Sequence, residues 1–264
     1  MTDVTDVTGD GREYRGVNGG GCDGCDGCDG CDALLSMQDR IADPPLYEEA
    51  LLVMRTLMKR VRYNIELLLS HLQDMGYLFG EGRFESLEDK AYWEREAPVY
   101  QAPTPEIWQQ VNTLEQRVGP LPLSLKCWYE EVGSVNLVGL FPSSPGRVFD
   151  RAYGSSLDPL FVYATTLVLQ MVALPLEDGT WEEEPMLPLA PDEDFKYRYS
   201  GSGPYYMLLP SRAFDVPLLG EPHDTTFVDY LRICFKWGGF PGLEKENRLT
   251  SREFAFLTKD LLLF

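Results

Sequence analysis

Cys22, Cys25, Cys28 and Cys31 stand at identical spacing in the run GGGCDGCDGCDGCD. Thiolates separated by two residues could hold zinc or an iron–sulfur cluster. The spacing fits neither well. Structural zinc sites use two separated CxxC pairs on folded knuckles, and the bacterial ferredoxin run has a longer last gap followed by proline. A perfect Cys-Asp-Gly triplet beside a second tandem repeat, TDVTDVT, reads as expansion of a short coding repeat. No cofactor is expected, and a metal or redox role for these four cysteines is an outlying alternative.

Other chemistry is thinly represented. The chain has two histidines, His71 and His223. His71 falls within a long helical pattern, where a surface or partly buried side chain is expected. His223 sits beside Asp224 in GEPHDTT, with no serine or cysteine signature to make a nucleophile. The glycines of SGSGP do not follow a buried strand and open a helix, so they are not a phosphate loop. No catalytic residue is expected, and the chain reads as a non-enzyme.

Charge is the stronger signal. The formal net charge is -19 over 264 residues. Such a chain is not expected to bind nucleic acid, because phosphate binding relies on Lys and Arg. A cationic protein partner, steered electrostatically, is favoured instead. Residues 1–45 hold ten acids against Arg12, Arg15 and Arg40. Glu177, Asp178, Glu182, Glu183, Glu184, Asp192, Glu193 and Asp194 form a second cluster with no base between them. Residues 177–194 therefore read as an acidic connection between strands, and Trp181, Tyr197 and Tyr199 as aromatic anchors for a partner. A plainly solvated loop is the competing reading. No secretory signal and no apolar run long enough for a membrane span is found, so a soluble cytoplasmic protein is expected.

The elements that must carry this surface follow from periodicity. Residues 1–42 hold few large apolar side chains until Leu34 and are expected to be a disordered leader. From Asp43 and Pro44, apolar residues recur at helical steps from Tyr47 to Met75, and Gly76 ends the run. This long helix and its connection make up residues 43–98. Ile107, Trp108, Val111, Leu114 and Val118 predict a second helix. Leu123 to Val132 predicts a third, stopped by Gly133. Val135 to Phe141 then reads as one buried strand. Leu160–Tyr163, part of Thr166–Ala173, Met186–Ala190 and the alternating Phe195, Tyr197 and Tyr199 read as further strands, the last forming a hairpin with Tyr205–Leu209. Asp224 or Thr225 is expected to cap a helix through Phe235, and Thr250 with Glu253 to form the capping box of a last one. Cys127 and Cys234 are expected to be buried free thiols. Helices, then a meander of strands, then helices predict an α+β fold with a mainly antiparallel sheet and flanking helices.

The stretch GPLPLSLKCWYEEVGSVNLVG resembles the helix-to-strand signature of the SUKH immunity superfamily, which also contains the yeast cell-wall-synthesis regulator. Leu121, Pro122, Ser124, Trp128, Tyr129, Gly133, Asn136 and Gly139 stand at the matching places. The resemblance covers residues 99–264. RVRYNIELLLSHLQDMGYLF and TTFVDYLRICFKWGGFPGLE look like segments of a bacterial branch with an extra N-terminal helical part. The resemblance implies a binding protein that neutralises a cognate toxin domain, often a basic nuclease, and carries over no contact residues. A regulatory or scaffold module with another cellular partner is the alternative.

Overall fold

The computed structural model describes residues 44–80, 91, 94–142, 157–178, 186–196, 203–245 and 248–264. The leader with its four cysteines lies outside them, as do Trp181, Glu182, Glu183, Glu184, Tyr197 and Tyr199.

The long helix α1 spans Pro44–Asp74. Met58, Val61, Ile65, Leu68 and Leu72 recur on one face and are completely buried. It ends where the sequence predicts. Gly76 adopts a positive φ, its N–H reaches the Gln73 carbonyl, and the Tyr77 N–H reaches that of Leu72. That pairing is a Schellman ending, in which the left-handed residue lets the chain close over orphan carbonyls.

Helix α2 (Ile107–Val118) and helix α3 (Leu123–Glu131) follow, joined by Gly119–Pro122. Trp128 and Tyr129 of α3 are fully buried. Where α3 packs on α1, Glu130 pairs with Arg55 at 3.0 Å, its own side chain nearly out of solvent, and the Arg55 guanidinium lies 5.5 Å from the Trp108 ring centroid. The N–H groups of Val132 and Gly133 both donate to the Trp128 carbonyl. Gly133 has φ +95, and a Cβ there would stand 2.1 Å from the Gln101 carbonyl oxygen. Only glycine lets the chain turn this close to its neighbour.

Beyond Gly133 the structure departs from the sequence reading. Val135–Phe141 is not one strand. Ser134–Asn136 (β3) lies between Tyr100–Gln101 (β2) and Phe161–Val162 (β5), whereas Gly139–Leu140 (β4) pairs with Leu78–Phe79 (β1). Asn136 makes the break. Its Oδ1 accepts the Val138 N–H at 3.1 Å and its Nδ2 donates to the Ala97 carbonyl at 2.9 Å. A side chain that satisfies backbone groups in this way competes with ladder pairing.

Thr166–Ala173 is helical, not a strand. It belongs to α4 (Thr165–Asp178), whose Val168 and Val172 are buried one turn apart. A short apolar run is periodically ambiguous, and the four-residue spacing of these valines decides it. Glu177 and Asp178 consequently lie in the last turn of a helix, not in a loop.

The next strand, β6 (Met186–Ala190), pairs antiparallel with β7 (Tyr205–Leu208). The expected hairpin partner of β7 is replaced, because residues 193–196 form the single helical turn α5 (Glu193–Lys196). Helix α6 (Phe227–Lys236) is capped by Thr226, one residue later than expected, and α7 (Ser251–Leu257) carries the expected Thr250–Glu253 capping box.

The fold is α+β. Its strand pairs are antiparallel, but among the described residues they form three small sheets and not one. The helices carry most of a shared core in which α1, α3, α6 and the strands contribute side chains together. His71 is buried in it, its Nδ1 3.1 Å from the Leu257 carbonyl. Cys127 and Cys234 are buried and free.

Candidate partner-binding surface

The β6–β7 ladder sets Met186 opposite Leu208, Leu187 opposite Met207 and Pro188 opposite Tyr206. Tyr206 also bridges Leu219 on the far side of β7. Directly opposed residues of antiparallel strands point to the same face, and residues two apart on a strand share one. Met186, Leu208, Tyr206 and Leu219 therefore stand on a common face. The other face carries Leu187, Met207 and Tyr205, all at most 1% exposed. Met186, Leu208 and Leu219 are between 37% and 40% exposed. Both faces of this small sheet are apolar; the inner one is covered by the core, and on the outer one Pro188 is buried while Met186, Leu208 and Leu219 are partly exposed among the described residues.

Proline is tolerated within β6 for a definite reason. The N–H and C=O of Tyr206 are both used by Leu219, at 3.0 and 2.8 Å, so they point away from Pro188. Pro188 has no N–H to offer, and its partner asks for none.

Beneath the ladder lies a buried charge pair. The Lys196 ammonium pairs with the Asp158 carboxylate, and both side chains are out of solvent. The same ammonium stands 4.9 Å from the Tyr205 ring centroid. Tyr205 in turn meets Tyr230 of α6 edge to face at 6.2 Å. Burial first, then the nearby Asp158 carboxylate, pushes the Tyr205 phenol well above its ordinary value, so it stays protonated. This arrangement reverses the alternation read from the sequence. Lys196 is completely buried, and Phe195 is exposed.

The acidic residues split by role. Asp192 is buried, and its two oxygens accept the N–H groups of Phe195 at 2.6 Å and Gly203 at 3.0 Å. It closes the turn into α5 and ties that turn to the start of β7, with its side chain out of solvent. Glu193 is exposed at the start of α5. Glu177, Asp178 and Asp194 lie on α4 and α5, at the two ends of the segment that contains β6. Met186, Leu208, Tyr206 and Leu219 were not singled out from the sequence. The available signal was the strand Tyr205–Leu208 itself, apolar at every position, so that one of its faces had to remain outside.

His223 does not assemble a catalytic group with Asp224. Its Nδ1 meets Glu221 at 2.5 Å and its Nε2 meets Glu244 at 3.1 Å. Burial opposes the charged form of the ring, but the two carboxylates outweigh it and raise the pKa. Among the described residues no group of three or more His, Cys, Asp and Glu side chains is placed to hold a metal ion, and no helix is long and apolar enough to cross a membrane.

Comparison of the chain with protein-family models, with curated proteins and with solved structures finds no match in any of the three.

Proposed function

We propose that this chain is a non-enzymatic, cytoplasmic binding protein of SUKH type that neutralises a basic toxin domain by direct contact. The carrying observation is the outer face of the β6–β7 sheet. Met186, Leu208, Tyr206 and Leu219 present an apolar centre there, and the chain entering and leaving β6 carries Glu177, Asp178, Glu182, Glu183, Glu184, Glu193 and Asp194. An apolar anchor region with a strongly charged surround is the usual anatomy of a protein–protein interface. The sign of the charge selects a cationic partner and accelerates its encounter.

The test is binding to the product of the neighbouring gene, followed as association and dissociation rates over a range of salt. Leu208→Arg should speed dissociation by about tenfold or more, the effect of losing one central anchor. Reversing Glu182, Glu183 and Glu184 to Lys should slow association by about tenfold at low salt and leave dissociation nearly unchanged. Absence of binding to the neighbouring gene product overturns the toxin reading. Unchanged rates in both variants overturn this surface.

A further inference from the structure

A second site lies away from this surface, and its case does not depend on the toxin reading. A cleft is walled by Gln101, Thr104, Gln110, Tyr129, Ser134 and Thr165, with Thr166 at its edge. Its cavity volume is about 40 Å³, room for about three water-sized groups. The lining contains no charged side chain, although the protein carries 42 acidic residues.

Two helices begin at this cleft, and they differ. The first turn of α2 is already closed, since Ile107 donates to the Thr104 carbonyl and Gln109 and Gln110 donate to that of Glu106. The first turn of α4 is open. Val168 is its first residue to find a carbonyl, that of Ala164, and the N–H groups of Thr165 and Thr166 have no acceptor among the described residues. Such a helix start combines free N–H donors with the positive end of the helix dipole.

A second observation comes from the same lining. Tyr129 is completely buried and Ser134 is 95% buried, being 5% exposed. Neither the Tyr129 hydroxyl nor that of Ser134 has a hydrogen-bond partner among the described residues. A buried polar group left unpaired is destabilising, so two in the lining of one cleft call for a partner. Gln110 already accepts the Thr165 hydroxyl proton through its Oε1. The lining offers these N–H and O–H donors and contains no carboxylate to repel a negative charge. Much of the protein's own negative charge is screened beyond about 8 Å at physiological salt.

We propose that this cleft binds a compact oxyanion, a carboxylate or phosphate group, seated on the Thr165 and Thr166 N–H groups and held by the Tyr129 and Ser134 hydroxyls.

The experiment is a titration of the full chain with inorganic phosphate and, separately, with acetate, against chloride at equal ionic strength. The readout is the amide resonances of Thr165 and Thr166. A saturable shift with phosphate alone identifies a phosphate-type ligand, and one with acetate alone a carboxylate. Tyr129→Phe combined with Ser134→Ala should weaken the binding by about tenfold or more. Because these hydroxyls bond nothing in the fold, that variant keeps its native structure, which its unchanged remaining amide spectrum would verify. No saturable shift with either anion, or full affinity in the double variant, overturns the site.

Discussion

Lys196 and Asp158 form an ion pair closed off from water, joining the α5 turn to a segment 38 residues earlier in the chain. Asp158 takes it up from a left-handed backbone conformation, with φ 46. Two ions removed from water repay their desolvation only through each other, so the loss of one partner costs more than the loss of both. Lys196→Met should lower the unfolding free energy by about 3–5 kcal/mol. Adding Asp158→Asn, a residue that accepts left-handed φ, should restore part of that loss. Urea unfolding of both single variants and the double variant measures the coupling, and simple additivity would contradict it.

His223 between Glu221 and Glu244 predicts a pH dependence of stability. Its folded pKa is raised above the ordinary 6.5. The contribution is therefore fully present below the unfolded value and disappears as pH rises through the folded one. Thermal unfolding of the wild type and of His223→Gln should differ by about 2–4 °C near pH 6, and the difference should close at higher pH. A gap that widened with pH would mean that the ring is held neutral.

Gly133 is irreplaceable for reasons of both space and backbone. A Cβ would lie 2.1 Å from the Gln101 oxygen at φ +95. Gly133→Ala should cost about 2–4 kcal/mol. Gly203→Ala is the control, since φ there is also positive but the nearest atoms stand 3.6 Å away. It should cost about 1 kcal/mol, the price of strain without collision. Chemical denaturation of the two variants separates these terms.

Cys127 and Cys234 should be silent towards thiol reagents in the folded protein. Burial, foremost, pushes the Cys127 thiol up to about 12, and burial raises that of Cys234 as well. In a variant with serine at 22, 25, 28 and 31, a colorimetric thiol assay at mildly alkaline pH should find no reactive cysteine until denaturant is added, and then two.

Much of the helical frame was legible in the chain. Local signals decide it: the apolar stripe of α1, the Gly76 and Gly133 stops, and the Thr250–Glu253 capping box each act within a few residues. The free, buried state of Cys127 and Cys234 followed from the same periodicity. Strands were less legible. Val135–Phe141 looked continuous because every residue but Asn136 and Gly139 is apolar, and the break depends on Asn136 reaching Ala97. Residues 195–199 alternated like a strand, yet Lys196 faces inward because Asp158 waits there. The acidic cluster was visible as composition, but nothing local distinguishes Asp192, which caps a turn, from Glu193, which faces water.

The sequence by itself determined the α+β class, the course of the long helix and the acidic balance, since these rest on spacing and composition along the chain. The tertiary structure alone decided which sheet each strand joined, that Lys196 is inside, and that Tyr129, Ser134 and the start of α4 share one cleft. Those facts depend on groups brought together from distant positions, and no periodicity within either segment records its partner.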